Sequence, residues 1–356
     1  MKTIVAIDLF SGAGGTTSGL KKAGIKVAAA VEIDKWAAQT YRLNNPEVVL
    51  FEKDIRDING KEIMEAISLK PSDKLLLVAC PPCQGFSTIG KHDVNDKRNR
   101  LIFEYLRLIT ELKPDFLLME NVSGIKNKKN RSIFTRFINP IKSRYLITYD
   151  ILNTADYGVP QNRKRLVLHG IKKETVDESF NVMLPIKTHS QAGKENTQQW
   201  VTAEVIMDLP EIKSGEEFLG EGIHNHIANK LTDINIKRIR YIRANGGSRT
   251  ILPDDLMLNC HKKNKGHGDV YGIVDISKPS VTITGGCMTY SKGRFGHPTQ
   301  DRALSAREAA RLQSFDDSYI FLGNRRELAK QIGNAVPVKL AEASGKYFQL
   351  ILGKVK

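Results

Sequence analysis

The order of apolar runs in the first ~170 residues constrains this chain more than any other feature: short, almost uninterrupted hydrophobic segments alternate with amphipathic ones, the rhythm of a βαβ sheet. Strands are predicted at Thr3–Leu9, Val27–Glu32, Leu75–Ala79, Phe116–Glu120 and Arg165–Gly170. Helices are predicted near Thr16–Lys22, Lys35–Asn44, Lys61–Ile67, Leu101–Leu112 and Ser132–Ile141. Runs such as LLLVA and FLLME show no polar alternation, so each fits a strand covered on both faces. The expected class is α/β with a mostly parallel central sheet. The first apolar run is interrupted at Asp8 and followed by no small-residue cleavage site, so it reads as a buried strand rather than a secretory signal.

From about residue 175 to 300 the rhythm fails, and Gly, Asn and Lys gather in turn signals such as Asn245-Gly246-Gly247 and Gly285-Gly286. This region reads as a smaller, loop-rich domain. Regularity returns at Ser305, a helix cap with Glu308 at the capping-box position. A last helix is expected from about Val338 to Leu352. Two domains suit 356 residues, since one domain usually takes ~100–200.

No segment approaches the ~18 consecutive apolar residues of a membrane helix. Four cysteines in so long a chain make no disulfide framework, so a reducing cytoplasm is expected. The 54 Lys+Arg against 39 Asp+Glu leave a formal charge of +15, which favours a polyanionic partner but says nothing about fold. The excess is local. Residues 121–149 hold seven basic side chains and no acid, and 237–265 hold Lys237, Arg238, Arg240, Arg243, Arg249, Lys262, Lys263 and Lys265 against Asp254 and Asp255. Each run alone reads as a solvated face; sharing one face, they would form a nucleic-acid footprint.

Four motifs could carry chemistry. DLFSGAGG (8–15) follows the first strand, and its glycines allow a tight turn and close approach to a ligand. Glu32 ends the next strand, twenty residues beyond Gly12, where an acid can hold ribose hydroxyls, and Asp54 follows in KDIRD. Thr17 replaces the last glycine of GxGxxG, which suits a nucleoside cofactor without phosphates, such as S-adenosylmethionine. ACPPCQGFS (79–87) leaves three readings: a redox dithiol, half a zinc site, or a single nucleophile, Cys83, at the carboxyl end of a parallel strand. No second CxxC follows, and Cys260-His261 and Cys287 lie far along the chain; Cys80 fits a buried small hydrophobe. In MENV, Glu120 closes an apolar strand, so it must be paired or protonated, unless it is simply exposed. In PQNRKRL, Arg163 and Arg165 stand two apart at a strand start and share a face, suited to phosphate or a carbonyl oxygen; a pair of surface arginines is the alternative.

In this order the pieces resemble the DNA (cytosine-5)-methyltransferase family over nearly the whole chain except its middle. DLFSGAGG resembles the cofactor loop, PPCQGFS the nucleophile loop, ENV the glutamate motif and QNRKR the arginine motif; RALSAREAARLQSF and QIGNAVP (331–337) resemble the hinge-region helix and the closing motif. The resemblance implies a Rossmann-like S-adenosylmethionine-dependent domain that methylates cytosine at carbon 5 in double-stranded DNA. Cys83 would attack carbon 6. Glu120, protonated, would hold N3 and the exocyclic amine, and Arg165, supported by Arg163, would contact O2. Phe10, Gly12, Gly14, Glu32, Ile33, Asp54, Ile55, Pro82, Leu101, Asn334 and Ala335 would form the cofactor pocket, with aliphatic Ile33 where many relatives carry an aromatic ring. Gln84, Ser87, Arg238, Arg240, Arg243, Arg249, Lys262, Lys263 and Thr282 would contact DNA, and no metal is implied.

The implied division is 1–178 catalytic, 179–300 target-recognition, 301–325 hinge and 326–356 a return segment completing the catalytic domain, with the basic runs on either side of a DNA cleft. No stable protein partner is implied: a restriction–modification enzyme would have a cognate endonuclease beside it in the cell, and an orphan methylase would not. The tRNA-methylating branch of the superfamily, a catalytically silent relative and a redox or zinc protein are the rivals; PPCQGFS and the intact Cys83, Glu120 and Arg165 favour the DNA enzyme.

Overall fold

The alternation of the N-terminal half becomes a seven-stranded sheet with order β3-β2-β1-β4-β5-β7-β6. Its strands are β1 (Ile4–Leu9), β2 (Lys26–Val31), β3 (Val49–Phe51), β4 (Lys74–Ala79), β5 (Phe116–Val122), β6 (Tyr145–Asn153) and β7 (Lys164–Lys172). Pairings from β3 across to β5 are parallel, and β7 lies antiparallel between β5 and β6. The computed structural model describes residues 2–82, 100–194, 196–263 and 268–356; the assignments to Cys83, Gln84, Ser87 and Lys265, and to the side chain of Lys263, lie outside the described residues.

Helices α1 (Gly15–Lys22), α2 (Lys35–Asn44), α3 (Gly60–Glu65), α4 (Ile102–Leu112) and α5 (Arg131–Lys142) fall within about two residues of their expected bounds, the usual uncertainty of helix ends. Asp34 caps α2 by accepting from the backbone N–H groups of Trp36 and Ala37. The LLLVA run is apolar throughout because it is covered twice. Leu75 and Leu77 join a core with Tyr105 and Leu108 of α4 and Phe137 of α5, while Leu76 and Val78 join one with Leu20 of α1 and Tyr41 of α2. Two strands were not anticipated. β3 has only three residues at one sheet edge, and β6 is the opposite edge, partly exposed, so neither carries a clean burial pattern.

The chain divides into two units: Met1–Tyr157, Lys164–Thr188 and Val336–Lys356, and Gly158–Arg163 with His189–Ala335. In the first, the C-terminal helix (Val338–Ile351) packs on α1 at Gly19, where a Cβ would come 2.3 Å from the Val338 carbonyl oxygen. Backbone cannot yield there as a flexible side chain could. Gly19→Ala is expected to cost about 1–3 kcal/mol, read as a lowered Tm, whereas Gly353→Ala, whose Cβ meets nothing within 4 Å, should leave Tm unchanged.

The second unit is more regular than its turn signals imply. It contains a two-residue strand pair, β8 (His189–Ser190) and β9 (Gln198–Gln199), then α6 (Asp233–Asn245), α7 (Asn259–Lys263), α8 (Ala306–Leu312) and α9 (Arg325–Asn334), which makes the C-terminal helix α10. α6 escaped the sequence pattern because only Ile239 and Ile242 are fully buried on it, a narrow stripe among basic residues. Those two isoleucines enter a core with Leu252, Tyr271, Ile273 and Tyr290.

The Ser305 capping box is present: Ser305 Oγ accepts from the Glu308 backbone, and Glu308 accepts from the Ser305 backbone. Glu308 also receives a bidentate contact from Arg302, at 2.8 and 2.6 Å, with both side chains fully buried. Among the described residues no helix is long and apolar enough to cross a membrane.

Candidate active site

The cofactor-type turn begins where β1 ends. Phe10, Gly12 and Gly14 adopt positive φ of 57°, 55° and 87°, so the chain reverses within five residues before α1. Glu32 clamps the turn: its carboxylate accepts from the Gly12 N–H and the Asp34 N–H, each at 2.7 Å. Burial pushes the Glu32 carboxyl above its ordinary range, against the pull of those two bonds. Ile33, next in sequence, stands exposed. Asp54 caps the following turn, and its two oxygens engage Arg56 at 2.9 and 2.5 Å, which holds its carboxyl below the usual range. Ile55 is buried beside it, Leu101 packs on the core, and Pro82 is half-buried.

In the sequence Asp8 shows only as the interruption of an apolar run. Its carboxyl is completely buried at the carboxyl end of β1; Oδ2 accepts from Thr17 at 2.7 Å, and Thr17 shares a hydrogen bond with the Tyr41 hydroxyl at 2.8 Å. Thr17 is the residue standing in for the missing glycine, so the departure from GxGxxG has a use. Burial, chiefly, pushes Asp8 up to about 7. Asp8 Oδ1 and Ser11 Oγ are both buried without a hydrogen-bond partner among the described residues, and a Cβ on Gly12 would meet nothing within 4 Å. The Glu32 carboxylate after β2 and the open space at the Gly12 turn fit a nucleoside ligand.

A second cluster lies at the ends of β4, β5 and β7. Glu120 on β5 and Arg165 on β7 are diagonal neighbours, because Glu120 faces Val167 and Val122 faces Arg165 in the ladder. Their side chains pair, Arg165 Nε to Glu120 Oε1 at 2.9 Å, each about one-seventh exposed. Desolvation weakens the Arg165 guanidinium, and Glu120 opposes that. Asn121 Nδ2 donates to the Pro81 carbonyl at 3.2 Å, tying β5 to the segment two residues before Cys83; this anchor within the ENV motif was not anticipated. Cys80 sits at the end of β4 against Thr16 Oγ1 at 3.6 Å, and burial, with Glu120 and Asp8 nearby, drives its thiol well above the ordinary range.

Arg163 requires a correction. The strand expected to carry it with Arg165 begins only at Lys164, and Arg163 belongs to the second unit. Its buried guanidinium donates to the carbonyls of Ile283 at 2.6 Å, Gly333 at 3.0 Å and Ala335 at 3.4 Å. It therefore fastens three segments of that unit together, its guanidinium engaged by backbone carbonyls. Asn334, exposed, ends α9, and Ala335, buried, follows it in the same unit. Thr282 Oγ1 donates to the Asn162 carbonyl.

The basic candidates differ among themselves. Arg240 and Arg243 both pair with Asp301; Arg240 is two-thirds exposed, while Arg243 also donates to the carbonyls of Gln300 and His297. Arg238 is held by Leu256 O and Asn235 and lies over Tyr271. Arg249 is buried, and Lys262 pairs with Asp254 at 3.5 Å. Sequence shows that these residues are basic; it does not show that Arg249 is buried and Arg243 half-buried.

A sheet of this order, with a glycine turn after β1 and an acid after β2, defines the class of α/β proteins that bind a nucleoside cofactor at strand ends. The chain belongs to the C-5 cytosine-specific DNA methylase family, whose model matches residues 4–349. It is similar to the Type II methylase M.HgiDII of Herpetosiphon aurantiacus, 36% identical over 354 residues that span 97% of this chain and 95% of the relative. It is also similar to the Type II methyltransferase M.DdeI of Desulfomicrobium norvegicum, 32% identical over 95% of this chain and 86% of that one.

Among solved structures, a putative DNA modification methyltransferase encoded within an E. coli prophage superposes with a TM-score of 0.74 at 25% identity, covering 99% of this chain and all of the other. A Dnmt2 of Spodoptera frugiperda, at 21% identity and a TM-score of 0.62 over 97% of this chain and all of that one, shares the fold. The chain is thus a DNA (cytosine-5)-methyltransferase by family, and methyltransferases of this kind generally draw the methyl group from S-adenosylmethionine.

Proposed function

We propose that this chain methylates carbon 5 of a cytosine within a specific sequence of double-stranded DNA, using Cys83 as nucleophile. The observation that carries the reading is the Glu120–Arg165 pair at the sheet's strand ends, with Asn121 of the same strand holding Pro81 ahead of Cys83. Together they offer a planar base one carboxyl group and one guanidinium at hydrogen-bonding distance from each other.

The target carbon is inaccessible in a stacked duplex, so the cytosine must turn out of the helix at a cost of a few kcal/mol. Glu120, protonated as the base arrives, donates to N3 and accepts from the exocyclic amine. Arg165 donates to O2 and stabilises the charge that builds on the ring as the Cys83 thiolate adds to carbon 6. Carbon 5 becomes nucleophilic and takes the methyl group; loss of its proton to a base then expels the thiolate and restores the aromatic ring. When bound, S-adenosylmethionine supplies an electrophilic methyl group. Phe10, Gly12, Gly14 and Glu32 would hold it, with Ile33 offering an aliphatic wall and Asp54 the adenine amine a partner.

The second unit is the reading's target-recognition part, with exposed Arg240 and Lys262 as its candidate DNA contacts.

Incubation with methyl-labelled S-adenosylmethionine and duplex DNA, followed by bisulfite mapping, is expected to place label on one cytosine of a fixed sequence. Label on no duplex, or on tRNA alone, would overturn the reading. Arg165→Ala is expected to lower the single-turnover transfer rate by about 10²–10³, the effect of losing one donor to developing charge, with S-adenosylmethionine affinity unchanged.

A further inference from the structure

The fold divides the basic run at 121–149 between the two ends of the sheet. β5 ends at Val122, opposite Arg165, so Lys126 and Lys128, in the short turns Ser123–Lys126 and Lys128–Asn130, follow the sheet end that carries Glu120 and Arg165. α5 then runs back from Arg131 to Lys142, about 17 Å at 1.5 Å per residue. Arg144 precedes β6, which begins at Tyr145 opposite Lys172, at the other end of the sheet. The same ladder sets Lys164, the first residue of β7, opposite Asn153 at the Glu120–Arg165 end. Leu166 and Leu168 stand on the same sheet face as Lys164, and both join the core with Ile125, Phe134 and Phe137. Lys164 and the Lys126–Arg131 segment therefore share one face as well as one end.

Lys126, Lys128, Arg131 and Lys164 are all exposed. Among the described residues one acid pairs with this group, Asp150 with Lys126 at 3.3 Å. Folding supplies no reason for the charge. α5 opens on Arg131 with no acid in its first turn and no side-chain cap, and cations at that end oppose the helix dipole. The segment is nonetheless fixed: buried Asn130 donates to the Gly124 carbonyl at 2.8 Å, and Gly124 and Ile125 are buried. Cations set along one fixed rim, with a single acid among them, suit an anion that repeats, as the phosphates of a nucleic-acid backbone do.

We propose that Lys126, Lys128, Arg131 and Lys164 form a phosphate-binding rim that grips the DNA backbone beside the target cytosine, and that Lys142 and Arg144 take no part. This rests on the DNA reading above. Phosphate contacts carry no sequence information, but they fix the position of the strand. Made at the sheet end of Glu120 and Arg165, they hold the strand whose base must turn out.

Fluorescence anisotropy of a labelled duplex, titrated at salt concentrations from about 50 to 200 mM, tests the assignment. Each phosphate contact adds about 0.9 to the steepness of log affinity against log salt. Lys128→Ala with Arg131→Ala is expected to reduce that steepness by about two and to weaken binding roughly tenfold near 0.1 M salt, on target and scrambled duplexes alike. Lys142→Ala with Arg144→Ala removes the same charge from beyond a Debye length of about 10 Å, and should leave affinity within about twofold of wild type. Lys164→Ala should reduce the steepness by about one, a result that does not depend on the start of α5. S-adenosylmethionine affinity should be unchanged in all three. Wild-type steepness in either rim variant, or an equal loss in the Lys142/Arg144 variant, would overturn the inference while leaving the DNA reading intact. Failure of the wild type to bind any duplex would overturn both.

Discussion

Cys83→Ser is expected to lower methyl transfer by ~10³-fold or more, while Cys80→Ser retains most of it. Two cysteines three apart can look equivalent in sequence, and the surroundings of Cys80 remove it from contention. Cys80 ends a buried strand, with its sulfur against Thr16 and its backbone N–H bonded to the Leu9 carbonyl. Burial and the acids Glu120 and Asp8 keep its thiol protonated far above neutral pH, so it cannot act as a thiolate. Serine at position 80 replaces a protonated sulfur by a hydroxyl of similar shape that can still bond Thr16. Serine at position 83 replaces a soft nucleophile by one far less ionised near neutral pH. Single-turnover transfer of labelled methyl groups to duplex DNA reads both variants, and equal losses would mean the nucleophile is misassigned.

Glu308→Ala is expected to destabilise the protein by about 3–5 kcal/mol, the cost of leaving one partner of a buried ion pair alone. The residue serves three groups at once: both Arg302 terminal nitrogens, and the Ser305 backbone in the capping box of α8. Burial would push its carboxyl up, but the bonds and charge of Arg302 outweigh that and hold it below its ordinary value. Removal strands Arg302, which is fully buried. The exposed Lys61–Glu65 pair supplies the contrast, since Glu65→Ala should cost less than about 0.5 kcal/mol. Urea unfolding at pH 7 distinguishes the two.

The same network bears on acid stability. Burial, above all, brings His297 beside Glu308 down to about 4, and burial does the same to His169 in the first unit. Unfolding lets these rings bind protons at their ordinary value near 6.5, so stability falls as pH drops from about 6.5 to 4.

Much of the first unit was legible in the sequence because buried parallel strands leave a strong mark. LLLVA and FLLME needed two apolar faces, and both have them. Edge strands leave little mark, and β6 went unseen because solvent takes one of its sides. In the second unit, α6 hid its two buried isoleucines among lysines and arginines. The Glu120–Arg165 pairing was not visible from spacing, since it depends on the antiparallel register of β5 and β7. Arg163 shows the converse: a basic residue two positions from Arg165 has its charge absorbed by backbone carbonyls that lie 120 or more residues away in the chain. Asp8 had a signal, an acid inside an apolar strand, whose meaning emerged only with Thr17 and Tyr41 in place.

The central claim, covalent attack by Cys83 on a cytosine of duplex DNA, is open to a direct measurement. The last step removes a proton from carbon 5, and fluorine at that position cannot leave as a cation, so an adduct formed on 5-fluorocytosine persists. Wild-type protein and Cys80→Ser, given S-adenosylmethionine and duplex DNA carrying 5-fluorocytosine at the mapped position, should each gain the mass of the modified strand, with the thioether to it traced to the Cys83 sulfur. Cys83→Ser should gain nothing. An adduct in Cys83→Ser, or none in wild type on a duplex that it methylates when unmodified, would contradict the account.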